Sequence, residues 1–350
     1  FNYNGISQFS SIRNTASSST LDRLGFKSEG TNLNLRYQNN TIIADSLFGI
    51  KYNLSNFDLN KYGFNHVTSE KTMGLYQNNN ASQLAILTDG IYKNIDFTVN
   101  TLDNQTSLLN ALSGLNLTYF KRAPSQLFDQ DAKSLNQRVA KNVSNSNKDF
   151  VTITYRVIAP PHSQLYVSVP NISWSDDNNH SLSITVNGVT RNQVTDNTFD
   201  FFDLGYFETE SMVTIKLSFP GNKAISFDNP SFYALDTQNY QIAMDTINER
   251  DSKVTTSNNK VFVDYSSKTN ASLFFTIPYD KGWTATINHK KVKIQRAQKG
   301  FMKVDVPSGK GKVVLTFIPY GLKTGLVISL LASIIFGCYA YFIRKITVIQ

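Results

Sequence analysis

The chain has 350 residues, with 34 lysines and arginines against 26 aspartates and glutamates, a formal net charge of +8 and a pI near 9.3. A hydrophobic content of 41% with a mean hydropathy of −0.26 excludes both a disordered polyelectrolyte and a protein wholly embedded in lipid, and the length suits about two or three domains. A single cysteine, Cys338, excludes a disulfide-stapled body; it fits a bacterial surface without oxidative folding and a cytosolic body equally well.

In chain order, Asn2 to Asn14 (NYNGISQFSSIRN) is dense in amide and hydroxyl groups and lacks regular periodicity. Asn4, Ser7, Gln8, Ser10, Ser11 and Arg13 are candidate substrate-binding residues, suited to hydrogen bonds with a sugar or a phosphate. A polar loop joining an upstream membrane helix to the body fits the same residues. The chain opens on Phe1 with no basic n-region or apolar h-region, which leads us to expect a piece of a longer membrane protein. Residues 1–125 read as a small α+β subdomain. Ser19-Thr20-Leu21-Asp22 matches a capping box, with Gly25 ending the helix. Leu33, Leu35 and Tyr37 alternate as a half-buried strand does, and Thr41 to Tyr52 reads as a helix ending at Gly49 followed by a core strand. Leu75-Tyr76 and Leu84 to Leu87 are further strands. Asn104 to Leu112 is a helix, capped by Asp103 and ended by Gly114.

Residues 126–149 are polar and read as a linker with one weak helix. Residues 150–321 read as a β-sandwich region, jelly-roll-like, with strands about ten residues apart. They are Val151–Ile158, Gln164–Val169, Ser181–Val186, Met212–Phe219, Lys260–Tyr265, Ser272–Ile277, Thr284–Ile287, Val292–Gln295, Met302–Val306 and Lys312–Phe317. One helix interrupts them: Tyr240, Ala243, Met244 and Ile247 share a face, with Asp236 or Thr237 as cap. SITVNG at 183–188 is echoed by TATINH at 284–289, and VTIKLSFPG at 213–221 by VVLTFIPYG at 313–321, which suggests two related β-modules. Residues 322–350 carry an uncharged run, 325–343, long enough for a transmembrane helix. Arg344-Lys345 after it favours a cytoplasmic C-terminus and an extracytoplasmic body at the cell membrane.

Chemistry-bearing constellations are scarce. His66, His162, His180 and His289 have no metal-ligand spacing and read as surface residues, so no metal is expected. Asp176-Asp177 suits either a Ca²⁺ loop or a solvated turn, with the turn favoured. Trp283 reads as core rather than as a sugar platform. Lys290, Lys291, Lys293 and Arg296 form a basic stretch that either faces a polyanion or is a solvated strand face. No nucleic-acid motif accompanies them, and no nucleic-acid partner is expected.

Four segments taken together resemble a known family. They are Asn4-Gly5-Ile6-Ser7-Gln8-Phe9-Ser10-Ser11; Ser46-Leu47-Phe48-Gly49-Ile50-Lys51-Tyr52; Asn104-Gln105 with Leu108-Leu109 and Gly114; and Ile277-Pro278-Tyr279-Asp280-Lys281-Gly282-Trp283, continued by VPSGKGKVVLTFIPYGLKTGL. In this order they resemble the YfhO family of bacterial multi-pass membrane proteins, with 120–260 least distinctive. Asn288-His289 departs from it, since a glycine after the asparagine is usual in such a hairpin. The resemblance implies a GT-C-type glycosyltransferase of Gram-positive bacteria. Its expected partners are the lipid bilayer, an undecaprenyl-phosphate-linked sugar donor, lipoteichoic acid or a similar polymer as acceptor, and the upstream transmembrane region of the same protein. The family's catalytic acid is expected in that upstream region, so no catalytic residue and no cofactor is assigned here. The expected role is to position the acceptor or brace the active site; the alternative is a surface-anchored, carbohydrate-binding β-sandwich without catalytic activity.

Overall fold

Period-two burial builds most of this molecule. In strand Ser211–Pro220 the buried residues are Val213, Ile215, Leu217 and Phe219, every second position, so one face is apolar and needs a partner sheet. A computed structural model describes residues 8–9, 15–28, 34–36, 41–130, 138–141, 150–174, 181–194, 200–220 and 225–347.

Two sandwiches result. In the first, a five-stranded sheet runs Val189–Val194, Ser181–Val186, Ser211–Pro220, Phe150–Ala159, Ser125–Gln130. It packs on a four-stranded sheet ordered Asp200–Phe207, Ser163–Val169, Ser231–Asp236, Phe120–Arg122, with Ile153, Leu182 and Ile215 meeting Leu165, Val167 and Phe202 in one core. In the second, Ser252–Ser257, Lys260–Ser267, Gly309–Phe317, Trp283–Ile287 and Lys290–Val292 face Gln295–Ala297, Phe301–Val306, Ala271–Pro278 and Ala85–Leu87.

The hairpins of the two sandwiches turn alike. Asn187 and Asn288 both have φ 46°. Each asparagine bonds one residue of the long neighbouring strand twice. Asn187 accepts from Thr214 N–H at 3.1 Å and donates its own N–H to the Thr214 carbonyl at 3.1 Å. Asn288 does the same with Lys312 at 2.9 and 3.0 Å. Gly188 takes the second turn position at φ 91°, His289 at φ 68°. The sandwiches differ at one strand. Beside Ser163–Val169 lies Ser231–Asp236, which follows in sequence; beside Ala271–Pro278 lies Ala85–Leu87, from far upstream. After Phe317 the chain leaves for its last helix, so that position is filled from elsewhere.

Between the sandwiches sits a helical hub. It holds α1 (Thr15–Arg23), α2 (Ile42–Leu47), α3 (Thr101–Ser113), α4 (Thr237–Asn248) and a three-stranded sheet ordered Tyr52–Ser55, Met73–Asn78, Phe64–Glu70. Leu108, Leu109 and Leu112 of α3 pack with Tyr240, Ala243 and Met244 of α4, and the same core takes in Tyr166 and Phe201 of the first sandwich and Phe274 and Phe301 of the second. Side chains satisfy the helix ends. Thr41 caps α2, Asn100 caps α3 and Asp236 caps α4. Gly114 ends α3 at φ 79°, a conformation that favours glycine. Arg250, its guanidinium half-buried, donates to the Leu112 carbonyl at 2.6 Å and to that of Ser113, setting a positive charge on the negative end of α3.

Several elements differ from expectation. Helix α1 starts earlier than its capping box, because Thr20 lies inside it and bonds the carbonyls of Ala16 and Gln298. Asn100, not Asp103, caps α3. The segment after Gly49 is the exposed edge strand Tyr52–Ser55 rather than core. The polar 126–149 stretch, expected to be a linker with one weak helix, supplies most of strand Ser125–Gln130 and all of Arg138–Lys141, held by backbone pairing that needs no apolar pattern; 131–137 and 142–149 lie outside the described residues. Val292–Gln295 divides between two sheets. Val189–Val194, Asp200–Phe207, Ser231–Asp236 and Ser252–Ser257 are strands in addition to the expected ones. Trp283 is half-buried against the second core, 5.0 Å from the Phe317 ring. The last helix, α5 (Leu322–Thr347), contains a 20-residue apolar span, Leu322–Tyr341, with mean hydropathy 1.8 and no part buried.

Candidate functional site

The candidate basic residues lie along one open edge of the second sandwich. Lys290–Val292 and Gln295–Ala297 are edge strands of its two sheets, joined by Lys293 and Ile294. Lys290 pairs with Ile287 and Lys291 with Thr286, while Trp283, at the other end of that strand, pairs with Phe317, the last strand residue before α5. Lys290 is therefore four strand residues, about 13 Å, beyond the helix-proximal end. Lys293 and Arg296 lie nearer that end, and the Arg296 guanidinium sits 4.6 Å over the Tyr279 ring. All four side chains are exposed. The fold thus gathers the four cations on one edge but splits them, two distal and two proximal to α5. Their field can attract an anionic chain, and salt screens it over about 8–10 Å.

Of the N-terminal candidates, Asn4, Ser7, Ser10, Ser11 and Arg13 lie outside the described residues, as do Asp176, Asp177 and His180. Gln8 belongs to the short strand Gln8–Phe9 and pairs with Leu35. The helix that follows, α1, is pinned to the second sandwich: Ser17 donates to the Gly300 carbonyl at 2.9 Å and Thr20 to that of Gln298 at 2.7 Å. The Gly300 carbonyl also accepts from Tyr279 N–H at 2.9 Å. Helix α1 therefore meets the second sandwich where the Gly300 carbonyl also holds Tyr279. His66 and His289 are exposed; His162 is half-buried, 3.2 Å from a Glu208 oxygen.

The Asn104-Gln105 pair of the family-like segment is buried and structural. Asn104 accepts from Thr98 N–H at 2.8 Å and donates to the Arg23 carbonyl at 2.9 Å; Gln105 donates to the Leu24 carbonyl at 2.9 Å and accepts from Thr41. These bonds clip α3 to the ends of α1 and α2.

Sequence reasoning missed a buried charged cluster. Asp45 of α2 pairs with Lys61, from the loop before Phe64–Glu70. Asp203, on strand Asp200–Phe207 of the first sandwich, accepts from Gly205 N–H and Gln164 Nε2, both at 2.7 Å. Gln164 Oε1 in turn accepts from Tyr62 N–H at 2.9 Å. Asp45 Oδ1 and Asp203 Oδ2 are buried with no hydrogen-bond donor among the described residues. Burial pushes Asp45 up to about 6 despite the Lys61 ammonium, and burial raises Asp203 as well. Through Gln164, which bonds both Tyr62 and Asp203, the cluster joins the hub to the first sandwich. The one signal for it was an aspartate in the apolar run TIIADSLFG.

A family model described as bacterial membrane protein YfhO matches residues 1–329. A protein of Bacillus subtilis (strain 168) described as the uncharacterized protein YfhO is 25% identical over 141 residues, 38% of this chain and 16% of the relative, so the match spans a small part of that protein. Among solved structures, a Paenibacillus sp. cycloisomaltooligosaccharide glucanotransferase complexed with cycloisomaltoheptaose overlaps 60% of this chain and 50% of its own at 9% identity and a TM-score of 0.21. The CBM22-1-CBM22-2 tandem domain of Paenibacillus barcinonensis Xyn10C overlaps 58% and 91% at 9% identity and a TM-score of 0.21. Overlaps at that level carry no argument here. Since the family match runs through the hub and both sandwiches into the apolar helix, the chain belongs to the YfhO family of bacterial membrane proteins.

Proposed function

We propose that this chain is the extracytoplasmic, helix-anchored part of a membrane glycosyltransferase that transfers a sugar from an undecaprenyl-phosphate-linked donor to a cell-surface polymer such as lipoteichoic acid. Its own share of the work is to position the acceptor. The observation that carries this reading is the exposed edge bearing Lys290, Lys291, Lys293 and Arg296, whose strand Lys290–Val292 shares a sheet with Gly309–Phe317, the strand that leads into the apolar helix. A lipid-linked donor stays at the membrane, so the acceptor must be brought down to it. Four cations along an edge suit a polymer with a phosphate in every repeat, and each contact is weak alone but additive along the chain. Transfer itself belongs to residues outside this chain, and α5 ends at a cytoplasmic C-terminus.

The test is binding of the body, cut before Leu322, to purified lipoteichoic acid at low and high salt. We expect salt-sensitive binding. Four exposed contacts of about 0.5 kcal/mol each sum to about 2 kcal/mol, so Lys290→Gln, Lys291→Gln, Lys293→Gln and Arg296→Gln together should weaken it roughly thirtyfold. No binding at low salt would reject acceptor positioning and leave the domain as a brace.

A further inference from the structure

The junction between the body and α5 is short and tied. Phe317 N–H donates to the Asn259 carbonyl at 2.9 Å, Asn259 Nδ2 returns to the Phe317 carbonyl at 2.7 Å, and Ile318 N–H donates to the Gly282 carbonyl at 3.0 Å. A Cβ on Gly282 would lie 2.3 Å from the Ile318 oxygen, so the turn 279–283 meets the junction only because residue 282 has no side chain. Leu322 N–H then bonds the Pro319 carbonyl at 3.1 Å and the helix begins. None of its apolar span is buried, so it leads away from the body.

If the hydrocarbon boundary falls where the apolar span opens, at Leu322, the headgroup layer extends about 5–8 Å further and covers the sandwich rim. The side chains there suit that layer. Tyr320 is 77% exposed, with Lys281 Nζ 5.5 Å from its ring centroid. Arg296 lies over Tyr279, which is half-buried against the second core, and Lys323, in the first turn of α5, is exposed. Asp280, the one carboxylate of the 279–283 turn, directs Oδ1 at Gly282 N–H, 2.7 Å away. Tyrosine with lysine or arginine is the pairing that settles at membrane interfaces, the ring at headgroup depth and the cation on lipid phosphate.

We propose that this rim, Tyr279, Lys281, Arg296, Tyr320 and Lys323, docks on anionic phospholipid headgroups, holding the body down on the bilayer. The proposal rests on α5 crossing the membrane; of its residues Arg296 alone is shared with the acceptor edge, and Tyr279, Lys281, Tyr320 and Lys323 are not.

The full chain would be placed in nanodiscs of phosphatidylcholine alone or mixed with phosphatidylglycerol, with hydrogen exchange followed at 279–283. We expect exchange there to slow by about twofold or more with phosphatidylglycerol at low salt, the difference shrinking at high salt and in Lys281→Gln/Arg296→Gln. In parallel, Trp174→Phe leaves Trp283 as sole tryptophan, and a headgroup nitroxide should quench it more in the anionic discs. Exchange and quenching indifferent to lipid charge would overturn the proposal. Lys290→Gln/Lys291→Gln should leave both readouts unchanged; a loss there would reassign the contact to the distal edge and overturn it equally. Lipoteichoic acid binding retained in Lys281→Gln would separate this rim from the acceptor site.

Discussion

At Asp45 and Lys61 the hub holds one buried ion pair, next to the Tyr62–Gln164 bond that links it to the first sandwich. Burial lifts Asp45 to about 6 in the folded protein, above its ordinary value near 4. Between those values the folded chain binds a proton that the unfolded chain has released. The stability this group contributes is therefore complete below about pH 4 and is lost as pH rises through about 6. Removing the lysine should expose that dependence. Lys61→Met leaves Asp45 buried without its counter-charge, and we expect a cost of about 3–5 kcal/mol near pH 8, falling markedly near pH 5 where the carboxyl is protonated. Urea unfolding at the two pH values measures it; an equal loss at both would mean that lost packing, not the unpaired charge, sets the cost. The pair could not be read from sequence because sixteen residues and a change of element separate its members, and periodicity reports which face is buried without naming the partner.

Hairpins and edge strands carry the next level. His289 holds a left-handed φ of 68° where the matching turn of the first sandwich has Gly188. A side chain in that region costs about 1 kcal/mol, so His289→Gly should raise stability by roughly that amount, read as a higher midpoint in thermal unfolding. An unchanged or lower midpoint would show that the histidine makes compensating contacts. The turn itself was legible, since the strings SITVNG and TATINH mark it. The strand Ala85–Leu87 was legible as a strand but not as part of the second sandwich. Its three residues are buried, and its pairing with Leu273, Phe274 and Phe275 is a long-range choice that local pattern does not encode. We expect an excised fragment of residues 250–321 to stay unfolded or to associate through the bare edge beside Ala271–Pro278, and a fragment that adds residues 41–130 to do better. Dispersed amide resonances from 250–321 alone would refute this.

Across the whole molecule, the apolar final helix and the strand-rich body were written plainly in composition and alternation. The hub was not. Tyr166, Phe201, Phe274 and Phe301 look like ordinary inward strand residues, yet they leave their own sandwiches to complete a core built on α3 and α4. A core shared three ways ties the pieces into one cooperative unit, so the predicted effects of Lys61→Met and of the bare edge should both appear as global unfolding rather than local loosening.

The borrowed strand also has a consequence in time. Thr88 and its partner Ser272 are 184 residues apart, so a growing chain carries that strand unpaired through on the order of ten to forty seconds of synthesis. The second sandwich closes only after Gly309–Phe317 has emerged, moments before the apolar helix itself. Completion of the fold and arrival of the anchor are then nearly one event, and a chain that stalls earlier presents an open, sticky edge that quality control can recognise.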